Sequence, residues 1–110
     1  TFSGVPAAPQ LPSAKAYTKA YVKEFKKKPG VWGAFTYDAV NVLAAAIKKS
    51  GGTDFRELKR AAFQTKNFKG ATGTITYKKL MGTKLNSGTR TEVPVEILVV
   101  NDKGSYVIAK

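Results

Sequence analysis

Cysteine and histidine are both absent from these 110 residues. Together the two absences remove disulfides, thiol nucleophiles, Ser-His triads and most zinc sites. Acidic residues are scarce, numbering seven against 19 lysines and arginines. Glu24, Asp38, Asp54, Glu57, Glu92, Glu96 and Asp102 are scattered, without the spacing of a calcium loop. Nothing pairs two of them as a glycosidase would require. No catalytic residue, metal or cofactor is therefore expected, and the chain does not read as an enzyme. Long apolar runs are missing too. None approaches the roughly 20 residues of a membrane-spanning helix. The opening Thr1 to Pro6 has neither a charged n-region nor an apolar h-region, so no signal peptide is read there.

Positive charge is what the chain has in excess. The formal net charge is +12 and the pI about 10.0. A basic surface attracts nucleic acid or anionic membrane by counterion release, so the placement of the charges matters. Lys15, Lys19, Lys23, Lys48, Lys49, Lys59 and Arg60 fall on solvent faces of three expected helices. Lys78, Lys79, Lys84 and Arg90 fall around loops. This reads as a dispersed, solvated coat without the aromatic-lined basic groove of a strand binder, so no nucleic-acid partner is expected. A small basic nucleic-acid-binding domain is the alternative reading, and a steep salt dependence of duplex affinity separates the two.

The length fits one domain and not two. Gly4 to Pro12 holds three prolines and reads as an extended connector. Ser13 is a candidate N-cap for a helix whose apolar stripe is Ala14, Tyr17, Tyr21 and Phe25. Pro29-Gly30 stops that helix, with Lys26 to Lys28 in its last turn. After a link through Val31 and Trp32, a second helix runs from Thr36 to Ser50 with Asp38 in its first turn and Gly51-Gly52 as its stop. It is apolar over most of its circumference, which predicts burial on more than one side. A third helix begins at Asp54, with Glu57 in capping-box spacing and Phe55, Leu58 and Ala62 facing inward. Gly70 to Gly73 is a turn and Thr74 to Tyr77 a half-buried strand. Leu80 to Thr91 reads as a loop, Val93 to Val100 as the strongest strand, and Asn101 to Gly104 as the turn of a closing hairpin. Three helices followed by about three strands cannot cover the second helix. Such an order suits part of a larger α/β structure.

Several segments together resemble a known family: Lys27-Lys28-Pro29, the aromatic Trp32, and Tyr37-Asp38-Ala39-Val40 opening an Ala-rich helix. They continue through Ala46 to Gly51, a short helix, and Phe68 to Tyr77 with its Gly-x-x-Gly turn. From about Ser13 onward the chain is similar to the C-terminal third of type I periplasmic solute-binding proteins of the branched-chain amino acid family, the receptors of ABC transporters. The resemblance implies an α/β chain forming part of a two-lobed fold that closes on its ligand. Residues 1–12 would be a connector or crossover, 13–81 the helices and strand of the first lobe, 82–92 a loop with the third crossover, and 93–110 hairpin strands of the second lobe. It further implies a periplasmic, or extracellular and membrane-tethered, protein. The implied partners are a small amino acid or related carboxylate, an ABC permease, and an N-terminal part of the same protein that carries the signal peptide and the main ligand anchors. Lys78 to Gly82 departs from the family, which has an acidic, glycine-containing turn there.

Trp32 is the candidate ligand-binding residue, because the resemblance aligns it with an aromatic wall of the cleft. A lone Trp beside a buried helix is otherwise more often core. Tyr37 is a second, weaker candidate. Asp38 is expected to satisfy backbone N–H groups rather than ligand. Gly70 and Gly73 lack the Lys-Ser/Thr and helix of a phosphate loop, so a tight turn suffices.

Overall fold

The computed structural model describes residues 11–79, 88–91, 93 and 96–109. Most of the proline-rich connector, the stretch 80–87 with Lys84, and Glu92 lie outside them. A 3-10 turn, Pro12–Ala14, leads into helix α1, Lys15–Phe25. Helix α2 spans Val31–Ser50 and α3 spans Phe55–Phe63. Strands β1 (Phe68–Gly70), β2 (Gly73–Lys79) and β3 (Gly88–Thr91) form one antiparallel sheet in that order. Strands β4 (Leu98–Val100) and β5 (Tyr106–Ile108) form a separate antiparallel pair.

Ser13 does not cap α1. Its hydroxyl donates instead to the Ala71 carbonyl, 2.8 Å away, and ties the helix start to the β1–β2 turn. The helix also stops earlier than its lysines suggest. Lys26 takes a left-handed conformation, φ 55°, and returns its N–H to the Val22 carbonyl. Lys28 precedes Pro29 and so disfavours helical backbone, which leaves Lys26 to close the helix. Helix α2, in contrast, begins five residues sooner than expected. Gly30 is its N-cap, and Val31, Trp32 and Gly33 are helical despite poor propensity. Burial of Ala34 in the core outweighs that local preference.

Asp54 caps α3 by accepting from the N–H groups of Arg56 and Glu57. Its inward face carries the buried Ala61, whereas Phe55 is exposed, contrary to expectation. A residue in the first turn of a nine-residue helix projects beyond the neighbour it packs on. Gly70 pairs with Gly73 across the Ala71-Thr72 tip, and Gly73 adopts φ 94°, a geometry suited to glycine. Part of the expected loop is strand: Thr89 and Arg90 pair with Lys78 and Tyr77. Cross-strand hydrogen bonding overrides a sequence with no alternation. Of the expected strand Val93 to Val100, Leu98–Val100 is strand, Val93, Glu96 and Ile97 are not, and Pro94 and Val95 lie outside the described residues. Its hairpin turn forms as read, with the Asn101 side chain accepting from Lys103 N–H and Ser105 N–H.

The core joins the 3-10 turn, α1, α2 and the hairpin tip through Leu11, Ala14, Tyr17, Ala34 and Ala71, with Tyr21 and Phe35 packed against it. A second buried set, Val42, Ala46 and Ala61, lies where α2 meets α3. The residues of α2 that are buried, Ala34, Asp38, Val42 and Ala46, recur every four positions and make one stripe. The molecule measures 51 × 36 × 18 Å with a radius of gyration of 16.1 Å. A compact domain of this length has a radius near 13 Å. The chain is a thin layer rather than a ball.

Candidate functional site

Helix α2 carries both candidate ligand residues. Trp32 sits in its first turn, 70% exposed, with its ring 6.2 Å from that of Phe35. Tyr37 is 48% exposed, and its ring lies 5.0 Å from that of Tyr17. Five residues of helix put the two about 140° apart around the axis, so they do not converge. Tyr37 instead overhangs an open groove of about 460 Å³ between α1, α2 and the β1–β2 hairpin, with Tyr17, Ser13, Lys69 and Thr74 also on its walls. Burial, and then the neighbouring Tyr21, pushes the Tyr17 phenol above its ordinary value of 10.0, so it stays a neutral wall.

Trp32 belongs to a different surface. Thr36, Ala39, Val40 and Leu43 are exposed along the same side of α2, and Ile47 is partly so. Apart from Thr36 this stripe is apolar from end to end, and Val40 alone is 61% exposed. Among the described residues, the expected burial of α2 on several sides is thus met on one side only. A continuous apolar helix face of this kind suits packing against another layer.

Between the two faces lies a polar cluster that holds the hairpin to α2. Asp38 is 2% exposed in the body of the helix, not in its first turn as the sequence suggested. Its carboxylate accepts from Ala71 N–H at 2.7 Å, Thr72 N–H at 2.8 Å and the Thr72 hydroxyl at 2.5 Å. It does satisfy backbone donors, but those of the hairpin tip and not of its own helix. Gly70 makes the approach possible, since a Cβ there would fall 2.5 Å from Asp38 Oδ2. Arg90 completes the cluster by donating to the Thr72 hydroxyl at 2.6 Å and the Thr72 carbonyl at 2.7 Å. Its guanidinium also stands 6.0 Å from the Phe35 ring centroid, and its Nε is buried with no hydrogen-bond partner. Arg90 is therefore not part of the solvated coat to which its loop-like surroundings assigned it. The geometry offers an anchored frame with an aromatic wall on each side.

No protein-family model matches the sequence, and no curated protein does. The arrangement of three helices and antiparallel sheets is that of a portion of the periplasmic-binding-protein fold. Among solved structures, the chain is similar to the leucine-binding protein LivK of Thermotoga maritima, with 27% identity and a TM-score of 0.68. The likeness takes in 100% of this chain and 29% of that one. The present chain thus spans less than a third of the length of the protein it resembles.

Proposed function

We propose that this chain is part of an extracytoplasmic solute receptor that binds a small amino acid-like or carboxylate ligand between two lobes and delivers it to an ABC permease. Its likeness over the whole chain to a leucine-binding protein supports this reading most directly. In it, residues 13–81 belong to the first lobe, 82–92 include the third crossover, and 93–110 belong to the second lobe. The rest of the polypeptide covers the apolar stripe of α2 from Ala39 to Ile47, beyond Trp32, and supplies the groups that grip the ligand's charged ends. Trp32, solvent-exposed at the start of α2, forms one wall of the cleft. Tyr37 stands at the groove on the other side of α2. Closure follows from tighter binding to the closed form, with Asp38 and Arg90 keeping α2 and the hairpin as one rigid body while the lobes move.

The test is calorimetric titration of the full-length protein with leucine, other small amino acids and simple carboxylates. Trp32→Ala is expected to weaken the best of these by about 1–3 kcal/mol, as loss of a large apolar contact does. The melting temperature of the unliganded protein is expected to change little. A large melting shift with unchanged affinity would return Trp32 to the core, and no affinity for any of these ligands would overturn the receptor reading.

A further inference from the structure

The basic charge is more ordered than its sequence suggests. In α1, Lys15, Lys19 and Lys23 are spaced every fourth residue, and Lys26 follows in the left-handed cap. All four are exposed, as are Lys27 and Lys28 beyond them. At 100° per residue the four fall within about 80° of the helix circumference and extend over roughly 16 Å. Glu24, the acid of this helix, lies on a different side. Among the described residues, the ion pair formed is Arg60 with Glu57 on α3, so none of the six lysines is neutralised by a carboxylate. Two exposed apolar side chains accompany the row. Val22 lies about 20° outside its arc and Phe25 about 80° outside on the same side. Phe25 is 57% exposed although its ring touches Tyr21 at 4.6 Å between centroids.

We propose that this lysine face of α1, with Val22 and Phe25, is a docking surface for an anionic phospholipid bilayer. A convex helix face with a row of ammonium groups beside apolar tips matches the headgroup layer. The charges sit at the lipid phosphates, and the apolar side chains reach the acyl boundary. A nucleic acid is a poorer match. The row is all lysine, without the arginine fork that pairs bidentately with phosphate, and it lines no groove that could track a strand. The opposite side of α1 carries Tyr17 and Tyr21, which pack into the core, so the lysine face is the one left to meet a partner. Docking here is independent of solute binding and stands or falls separately from it.

Each lysine close to an anionic surface adds about fivefold to partitioning. Cosedimentation of the full-length protein with phosphatidylcholine vesicles, and with vesicles containing 30% phosphatidylglycerol as a chosen probe composition, reads the effect. Binding is expected only to the anionic vesicles and to fall steeply as salt rises. The triple change Lys15→Gln, Lys19→Gln, Lys23→Gln is expected to lower it by on the order of 100-fold. The triple change Lys48→Gln, Lys66→Gln, Lys103→Gln removes the same charge elsewhere and is expected to lower it less than tenfold. Circular dichroism confirms that both variants fold, since glutamine and lysine have similar helix propensity. Equal losses from the two triples would reduce the effect to net charge and overturn the proposal. Equal binding to neutral vesicles would also overturn it. Tighter binding to a random DNA duplex than to anionic vesicles at the same salt would replace the bilayer with nucleic acid.

Discussion

Three donors converge on the Asp38 carboxylate, and substitutions can separate its charge from its shape. Asp38→Asn keeps the volume but turns an amino group toward donors that need an acceptor. A buried N–H left unsatisfied costs about 1–3 kcal/mol, so this change is expected to destabilise by roughly 2–4 kcal/mol. Thr72→Val retains both backbone bonds and loses only the hydroxyl that bridges Asp38 to Arg90, for an expected cost of about 1–2 kcal/mol. Urea denaturation of the two variants gives the order directly. If Thr72→Val proves the more damaging, the Arg90 link and not the backbone pair holds the hairpin. Gly70 belongs to the same cluster through the lack of a side chain, because its backbone lies against the carboxylate.

Helix boundaries are where local preference and packing compete. Lys26 is non-glycine with φ 55°, so Lys26→Gly removes a left-handed penalty at the end of α1. The expected gain is about 0.5–1 kcal/mol by thermal melting, whereas the same change at Lys23, inside the helix, should cost about as much. A loss at both positions would mean that the Lys26 side chain stabilises its cap. The three helices, the Gly70 turn and the Asn101 hairpin were legible because each carries short-range signals: periodicity, an N-cap at Asp54, and glycines at turns. The start of α2 was not legible. Val31 to Gly33 are poor helix formers, held helical by a core residue just beyond them. Strand β3 was hidden for a similar reason, since Gly88 to Thr91 has no alternation and is defined by its partner β2. At the site, Trp32 and Tyr37 could be named from the resemblance, yet their opposite faces depended on knowing that the helix already includes Trp32. The role of Arg90 could not be read at all, because it is set by a hydroxyl 18 residues away.

At the scale of the molecule, a thickness of 18 Å leaves little interior. The buried set is dominated by alanine, while Trp32, Val40 and Leu43 face outward on α2. The isolated 110-residue chain is therefore expected to self-associate through this stripe, as sedimentation velocity would register. Val40→Lys with Leu43→Lys should return it to monomer with little loss of helical signal, since both sites are exposed. A wild-type chain that is monomeric and melts sharply would show that the layer is self-sufficient, and the stripe would then need no cover.

The carboxylate clasp at the hairpin tip has a kinetic consequence. Hairpin tips ordinarily open first, and their amides trade hydrogen with solvent long before the strands do. Here the Ala71 and Thr72 amides point into a buried charge rather than into water. Their exchange requires α2 and the hairpin to part, so these two protons should be among the slowest in the sheet, outlasting those of Lys78 and Lys79 at the far end of β2. The protection gradient of the hairpin then runs backwards, from a fixed tip to freer strand ends, and Asp38→Asn should restore the ordinary order.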